Sequence, residues 1–363
     1  MTDLPVVHER PLARVSLPLS AAQLAGWDAI VDARSPAEFA EDHLPGAVNC
    51  PVLDDEERVR VGTIYQQQGA FEAKRIGAPL VAMNLARLIA QSFADRPKSW
   101  RPLVYCWRGG TRSGSLTHVL RQVGWNALQL EGGYKAFRRQ VAADLETMPA
   151  RLAFRVICGA TGSGKSRLLE ALAQTPAQVL DLELLAAHRG SVLGEIPGTA
   201  QPTQKAFETA IWSALSAFDR TRPVFVESES KKVGNLRVPE ALIARMREGE
   251  CLRLEVSPEV RAELLLDDYA HLVADPGLLR EKLECLAPLH GAERIAQWIA
   301  LVESGSWDAL VAELLGAHYD PAYHRSMFRN YRGAAAAPAV AVRKGSRAEF
   351  AALAASLAAE FAG

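Results

Sequence analysis

Neither sign of charge dominates this sequence: 41 Lys and Arg stand against 42 Asp and Glu, for a formal net charge of −1. That balance excludes a whole-molecule field for nucleic acid, so any such site must come from local patches. Cysteine is scarce and unpaired. The five residues Cys50, Cys106, Cys158, Cys251 and Cys285 form no CxxC pair, which argues against a zinc site or disulfide framework and for free thiols in a reducing compartment. The stretch MTDLPVVHERPLARVSL lacks a basic segment followed by an apolar one, and no apolar run approaches the length of a bilayer span. Neither signal peptide nor membrane contact is therefore expected, and a cytoplasmic location is. There is no internal repeat. What is present is the composition of a globular protein, 49% hydrophobic and 23% charged, over 363 residues. That is too long for one ordinary core, and two domains is the working count.

Short apolar runs alternate with helical patterns, which predicts α/β architecture with mostly parallel sheets. In the first part the strands are DAIVDA at 28 to 33, LVYC at 103 to 106 and ALQLEGG at 127 to 133. SGSLTHVLRQVG has helical periodicity and stops at Gly124. A domain over 1–145 follows, with a boundary near 140 to 152. A second α/β domain over 152–332 opens on AFRVICGATGSGKSRLLEALAQ and takes further strands from VLDLE (179 to 183), PVFVES (223 to 228) and CLRLEVS (251 to 257). From about 258 to 332 the pattern is mainly helical. GAAAAPA at 333 to 339 reads as a linker, so 333–363 is expected to be that linker and a terminal amphipathic helix with Ser346 as its cap.

Cys106 ends a predicted strand and is followed by WRGGTRSGS. That places its sulfur in a turn at a helix N-terminus, where converging backbone N–H groups, Arg108 and Arg112 would favour a reactive thiolate and bind an anion. The bland alternative is a small core residue, the usual fate of a lone cysteine. It applies to Cys158, Cys251 and Cys285, while Cys50 in NCPV could lie near the first site.

GATGSGKS, Gly159 to Ser166, matches GxxxxGK[ST] between a predicted strand and a predicted helix. Gly159, Gly162, Ser163 and Gly164 let the backbone approach phosphate oxygens, Lys165 adds a positive charge, and the Ser166 hydroxyl can reach Mg²⁺. Asp181, Glu227 and Glu229 end the following strands, where a metal- or water-positioning carboxylate belongs. For each, a solvent-facing acidic loop is an equally good reading.

DARSPAEFAEDHLPGAVNCP resembles the N-terminal signature of the rhodanese family, in which such an Asp and Arg brace the active loop. The resemblance implies that role for Asp32 and Arg34. Arg112 lies one residue further from the cysteine than the loop arginine of many single-domain sulfurtransferases. Superfamily members with widened loops accept larger oxyanions, and selenophosphate fits by analogy. The order rhodanese-like domain then P-loop domain, with PVLDDEERVRVGTIYQQ, CWRGGTRSGS, LEGGYKAFRR, LLAAHRGSVLGEIPG, QPTQKAFE and VESESKKVGNLRVP, is similar to the bacterial tRNA 2-selenouridine synthase family up to about residue 332. The resemblance implies a rhodanese-like α/β domain, then a P-loop NTPase-like α/β domain with a mainly helical C-terminal part. It also implies replacement of sulfur by selenium in 2-thiouridine at the tRNA wobble position. Geranyl diphosphate first alkylates the sulfur, and selenium from selenophosphate then displaces it, with no tightly bound cofactor expected.

In that reading the P-loop holds geranyl diphosphate, Cys106 serves the selenium step, and the anticodon loop is gripped by local cations. The candidates are Lys135, Arg138, Arg139, His188, Arg189, Lys231, Lys232, Arg325 and Arg329, each of which alone is more often a solvated charge. The alternatives are an ATP-dependent tRNA sulfurtransferase with a persulfide at Cys106, and a regulatory module in which the P-loop is a nucleotide switch.

Overall fold

The computed structural model describes residues 14–360; the stretch read above for a signal peptide lies largely outside them, at 1–13. The chain divides into two compact units. One runs to Asp144 and takes in Glu208–Ala217, and the other comprises Leu145–Phe207 and Phe218 onward.

The first unit is built on five short parallel strands, β1 (Arg14–Val15), β2 (Ala29–Asp32), β3 (Ala47–Asn49), β4 (Pro102–Tyr105) and β5 (Leu128–Leu130), in the order β1-β5-β4-β2-β3. β4 is buried along its whole length, as a central parallel strand covered on both faces must be. Ala33, Val52, Val104, Leu116, Leu120, Trp100 and Trp125 form the core beside it. The helix Thr111–Val123 ends on Gly124, in left-handed conformation with φ 112°, as expected from sequence.

Ala70–Phe93 departs from expectation: as one continuous helical stretch it is long and apolar enough, by length and composition, to cross a bilayer. It lies along the helix Asp55–Gln68 and puts Leu85 and Phe93 into the core. The helical segment Glu208–Ala217 joins this unit through side chains that no sequence pattern announced. Trp212 Nε1 donates to Asp144 at 2.8 Å and its ring meets Phe137 edge-on, while Thr209 Oγ1 donates to Asp42 at 3.0 Å.

The second unit has a parallel sheet in the order β12-β11-β6-β8-β7. Its strands are β6 (Phe154–Cys158), β7 (Gln178–Leu180), β8 (Val224–Glu227), β11 (Glu250–Val256) and β12 (Ala339–Val342), with a small hairpin of β9 (Lys232–Val233) and β10 (Leu236–Arg237). VLDLE is only partly strand, because Asp181 caps the next helix, Leu182–Ala186, by accepting from Leu184 N–H at 2.8 Å.

Over its described residues, 333–360, the C-terminal segment is not a linker with a separate helix. β12 pairs with β11, and the helix Arg347–Glu360 buries Phe350 and Ala354 in the same core as Ile157, Leu168 and Leu169. Ser346 Oγ caps it by accepting from Glu349 N–H at 3.2 Å. Residues between Pro258 and Asn330 are mainly helical, around a second core that includes Leu272, Leu283, Trp298 and Leu310.

Candidate functional site

In the first unit the cysteine loop, 106 to 110, is held from three sides. Tyr134 N–H donates to Cys106 O and Lys135 N–H to Trp107 O, both at 2.9 Å. Gln129 Nε2 donates to Gly109 O, Gly110 O and Ser113 Oγ at 2.9, 3.1 and 2.8 Å. Gly133, with φ +56°, lies so close that a Cβ there would sit 2.2 Å from Cys106 O and 2.5 Å from Gly109 N. Only a residue without a side chain fits that position, which explains the GG of LEGGYKAF.

Cys106 itself is 3% exposed, and its Sγ accepts from Ser113 Oγ at 3.1 Å. The two arginines are not arrayed on the sulfur. Arg112 makes a bidentate pair with Glu38 at 2.5 and 3.2 Å, and Arg108 is exposed. A fork of guanidinium donors finds a stronger partner in a carboxylate than in a thiol. Burial raises the Glu38 pKa, but the Arg112 hydrogen bonds and charge outweigh it and leave the carboxyl below its usual range.

Asp32 and Arg34 form a fully buried ion pair, with Arg34 Nη2 2.6 Å from Asp32 Oδ2 and 2.7 Å from Asp42 O. The Arg34 guanidinium lies 3.9 Å from the centre of the Tyr134 ring. The pair therefore reaches the loop through Tyr134, the residue whose N–H holds Cys106 O. Cys50 is buried in the same apolar cluster as Cys106, and burial pushes its thiol up to about 11. Cys158 and Cys251 are buried as expected, but Cys285, expected to be structural, is exposed.

In the second unit β6 leads into the glycine loop and the loop into the helix Lys165–Ala173. Gly164 has φ +78°, and a Cβ on it would meet Phe350 Cζ at 2.3 Å. Lys165 Nζ donates to Gly159 O at 2.9 Å. Thr161 to Ser166 line a cavity of about 970 Å³ together with Asp181, Glu183, Glu227, Glu229, Tyr319, Tyr323 and Tyr331.

Ser166 Oγ donates to Glu183 Oε2 at 3.0 Å and lies 3.4 Å from Glu227 Oε2. Oxygens of Glu183, Glu227 and Glu229 all fall within 4.8 Å of one another. Glu227 is fully buried, and its Oε1 has no protein partner. Burial and the neighbouring Glu229 charge raise Glu183 to about 8, burial and the charges of Glu183 and Glu229 hold Glu227 well above the carboxylate range, and burial raises Glu229. Glu183 was missed from sequence. Asp181, the residue chosen instead, lines the cavity, but its carboxylate caps a helix.

The tRNA candidates divide. Lys135, Arg139, Lys231, Lys232, Arg325 and Arg329 are exposed, although Lys231 Nζ lies 3.4 Å from Glu240. Arg138 is tied to Glu208 at 2.5 Å and to Thr209 at 3.0 Å, so it serves packing. His188 is 6% exposed and its Nδ1 accepts from Gly190 N–H, which removes it as a surface cation; Arg189 is half-buried, over Tyr269 and 3.5 Å from Asp268.

The chain matches the family model of the tRNA 2-selenouridine synthase AAA domain over residues 126–284, and that of the rhodanese-like domain over residues 18–140. It is similar to the tRNA 2-selenouridine synthase of Cupriavidus pinatubonensis, with 33% identity over 326 residues that cover 81% of this chain and 87% of that protein. The chain belongs to the tRNA 2-selenouridine synthase family. Two further members of the family are similar over less of their length. The Nitrosomonas europaea protein is 35% identical over 66% of this chain and the Alcanivorax borkumensis protein 38% identical over 66% of it, and the matches span 63% and 66% of those proteins. The family's two-domain order places the cysteine loop in its rhodanese-like part and the glycine loop with the glutamates in its AAA part.

Proposed function

We propose that the chain is a cytoplasmic transferase that replaces sulfur by selenium in 2-thiouridine at the tRNA wobble position, by way of a geranylated intermediate. The observation that carries this reading is the pairing, in one chain of this family, of a braced cysteine loop with a phosphate loop facing three glutamates. In the first step the thiouridine sulfur attacks C1 of geranyl diphosphate. The S–C bond forms, the C–O bond to diphosphate breaks, diphosphate departs with the electron pair, and N3 of the base gives up its proton so that the alkylated ring is neutral. Lys165 and the glycine-loop amides offset the charge that develops on it.

Ser166, Glu183, Glu227 and Glu229 are hard oxygen donors suited to Mg²⁺, and the partnerless, buried Glu227 Oε1 is the kind of atom a cation would satisfy. Bound there, Mg²⁺ would supply further charge neutralisation for the leaving diphosphate. In the second step the selenium of selenophosphate attacks C2 of the base, the C2–S bond breaks and the geranyl thiolate leaves with its electron pair, and water then cleaves the Se–P bond and releases phosphate. Cys106 serves this step, with Ser113 donating to its sulfur. Exposed Lys135, Arg139, Lys231, Lys232, Arg325 and Arg329 supply phosphate contacts to the anticodon arm.

Mass spectrometry of tRNA nucleosides tests the scheme. Selenouridine is expected with selenophosphate and geranyl diphosphate together. Lys165→Ala should suppress geranylation, whereas Cys106→Ser should let geranylated tRNA accumulate, and loss of both products in the cysteine variant overturns the division of labour. ATP turnover dependent on tRNA would instead favour the ATP-dependent sulfurtransferase.

A further inference from the structure

The helix Pro258–Asp268 grips the glycine loop and the helix that follows it from both of its own ends. At the far end Asp267 and Asp268 accept from Arg167 Nη2 at 2.6 and 2.7 Å, which fastens it to the helix Lys165–Ala173. Near the start Arg261, 8% exposed, reaches the loop itself, and its Nε donates to Thr161 O at 2.9 Å. Asp320 clamps the rest of the guanidinium, with Nη1 3.0 Å from Oδ2 and Nη2 2.6 Å from Oδ1. Between these contacts Gly162, at φ +79°, is pressed so close that a Cβ would stand 2.8 Å from Leu265 Cγ and 3.1 Å from Arg261 O.

Arg261 is more than a tie between helices, because Arg167 already supplies one and the Arg261 bond ends on a main-chain oxygen of the loop. The peptide joining Thr161 to Gly162 is trans, so its C=O and N–H point in opposite directions. Fixing Thr161 O on Arg261 therefore turns Gly162 N–H the other way, and both residues line the phosphate cavity. A cation on the carbonyl also polarises the peptide and makes its N–H a stronger donor. Asp320 balances the charge of Arg261, so the guanidinium acts through direction rather than through its own attraction for an anion.

We infer that Arg261, locked by Asp320, is a positioning residue of the glycine loop, holding the Thr161–Gly162 peptide so that Gly162 N–H is presented to the diphosphate. This rests on the reading of the loop given above and adds the two side chains that set its shape.

Binding of inorganic pyrophosphate with Mg²⁺ is measured by calorimetry on the full chain and on its variants, beside the urea midpoint of each. Arg261→Lys keeps the charge but cannot reproduce the planar fork, and should weaken binding about tenfold, the loss expected for a hydrogen bond to a charged group. Asp320→Asn leaves the guanidinium charged but loosely held, and should weaken binding by a similar factor. Asp320→Glu restores the carboxylate and should return affinity to within about threefold of the wild type. The double variant Arg261→Lys with Asp320→Asn should lose no more than either alone, because the pair acts as one unit.

Tighter binding in Asp320→Asn would mean that the guanidinium attracts the anion directly, and overturns the positioning role. Arg261→Lys within about twofold of the wild type overturns it as well, as do additive losses in the double variant. Affinity that merely follows the urea midpoint, with no rescue by Asp320→Glu, assigns the pair to stability alone. Should Arg261→Lys not fold, the sign of the Asp320→Asn change decides. No binding of pyrophosphate by the wild type overturns the role of Arg261 and the reading of the loop together.

Discussion

Glu183, Glu227 and Glu229 gather more negative charge beside the glycine loop than the fold can comfortably hold. The folded state answers by keeping protons there: burial and the Glu229 charge push Glu183 up to about 8 against 4.5 for the ordinary side chain, and burial with the charges of Glu183 and Glu229 holds Glu227 well above that ordinary value too. Between those limits the folded protein binds more protons at this cluster than the unfolded chain does, so the cluster's contribution to stability is present below 4.5 and is lost as pH rises through about 8. In chelator, the unfolding midpoint should fall between about pH 5.5 and pH 8. Glu183→Gln should flatten that fall, and Mg²⁺ should raise the midpoint more at the higher pH, where the ligands are free of protons. A Mg²⁺ effect that is larger at the lower pH would contradict the assignment. At this scale the sequence was half legible. Spacing located the cysteine, the lysine and two of the glutamates, because motif positions are fixed by backbone geometry. It could not show that Arg112 turns to Glu38, which lies 74 residues away in sequence, or that Glu183 meets Ser166 while Asp181 is engaged in capping a helix.

Strands and helices with strong local signals, β2, β4, β5, β6 and β8 and the two helices after the loops, were visible as short apolar runs and helical periodicity. β1, β3 and β12 were not, since each has two to four residues and lies at a sheet edge, where partial exposure weakens the apolar signal. The misreading of residues 333 to 363 has the same cause. AVAV and an alanine-rich helix look like spacer until the partner surface is known. That surface is the glycine loop's own helix, against which Phe350 is 2% exposed. Phe350→Ala should cost roughly 3–5 kcal/mol by chemical denaturation, the range for removing a buried phenyl ring. It should also weaken pyrophosphate binding while leaving the cysteine loop's reactivity unchanged. Unchanged stability would mean that the helix Arg347–Glu360 is an appendage after all.

For the molecule as a whole, the order of two chemistries along one chain was the most legible property, and the docking of Glu208–Ala217 onto the first unit the least. That docking depends on a few distant contacts from Trp212, Thr209 and Arg138, with no local pattern to announce them. A net charge of −1 provides no long-range attraction for the tRNA proposed above, so on that proposal binding rests on the exposed cations. If all six of them meet phosphates, the slope of log affinity against log salt should be roughly −4, at about 0.7 per contact with single-stranded RNA. Removing Lys231 and Lys232 together should reduce it by about one, and affinity insensitive to salt would exclude this mode of grip. The contact of Phe350 with Gly164 carries a consequence for biosynthesis. A ribosome that has translated GATGSGKS has made the motif but not the surface that moulds it, and the phosphate cradle must wait for a segment synthesised much later. Nascent chains stalled anywhere in between should therefore engage no pyrophosphate, whereas the finished protein should.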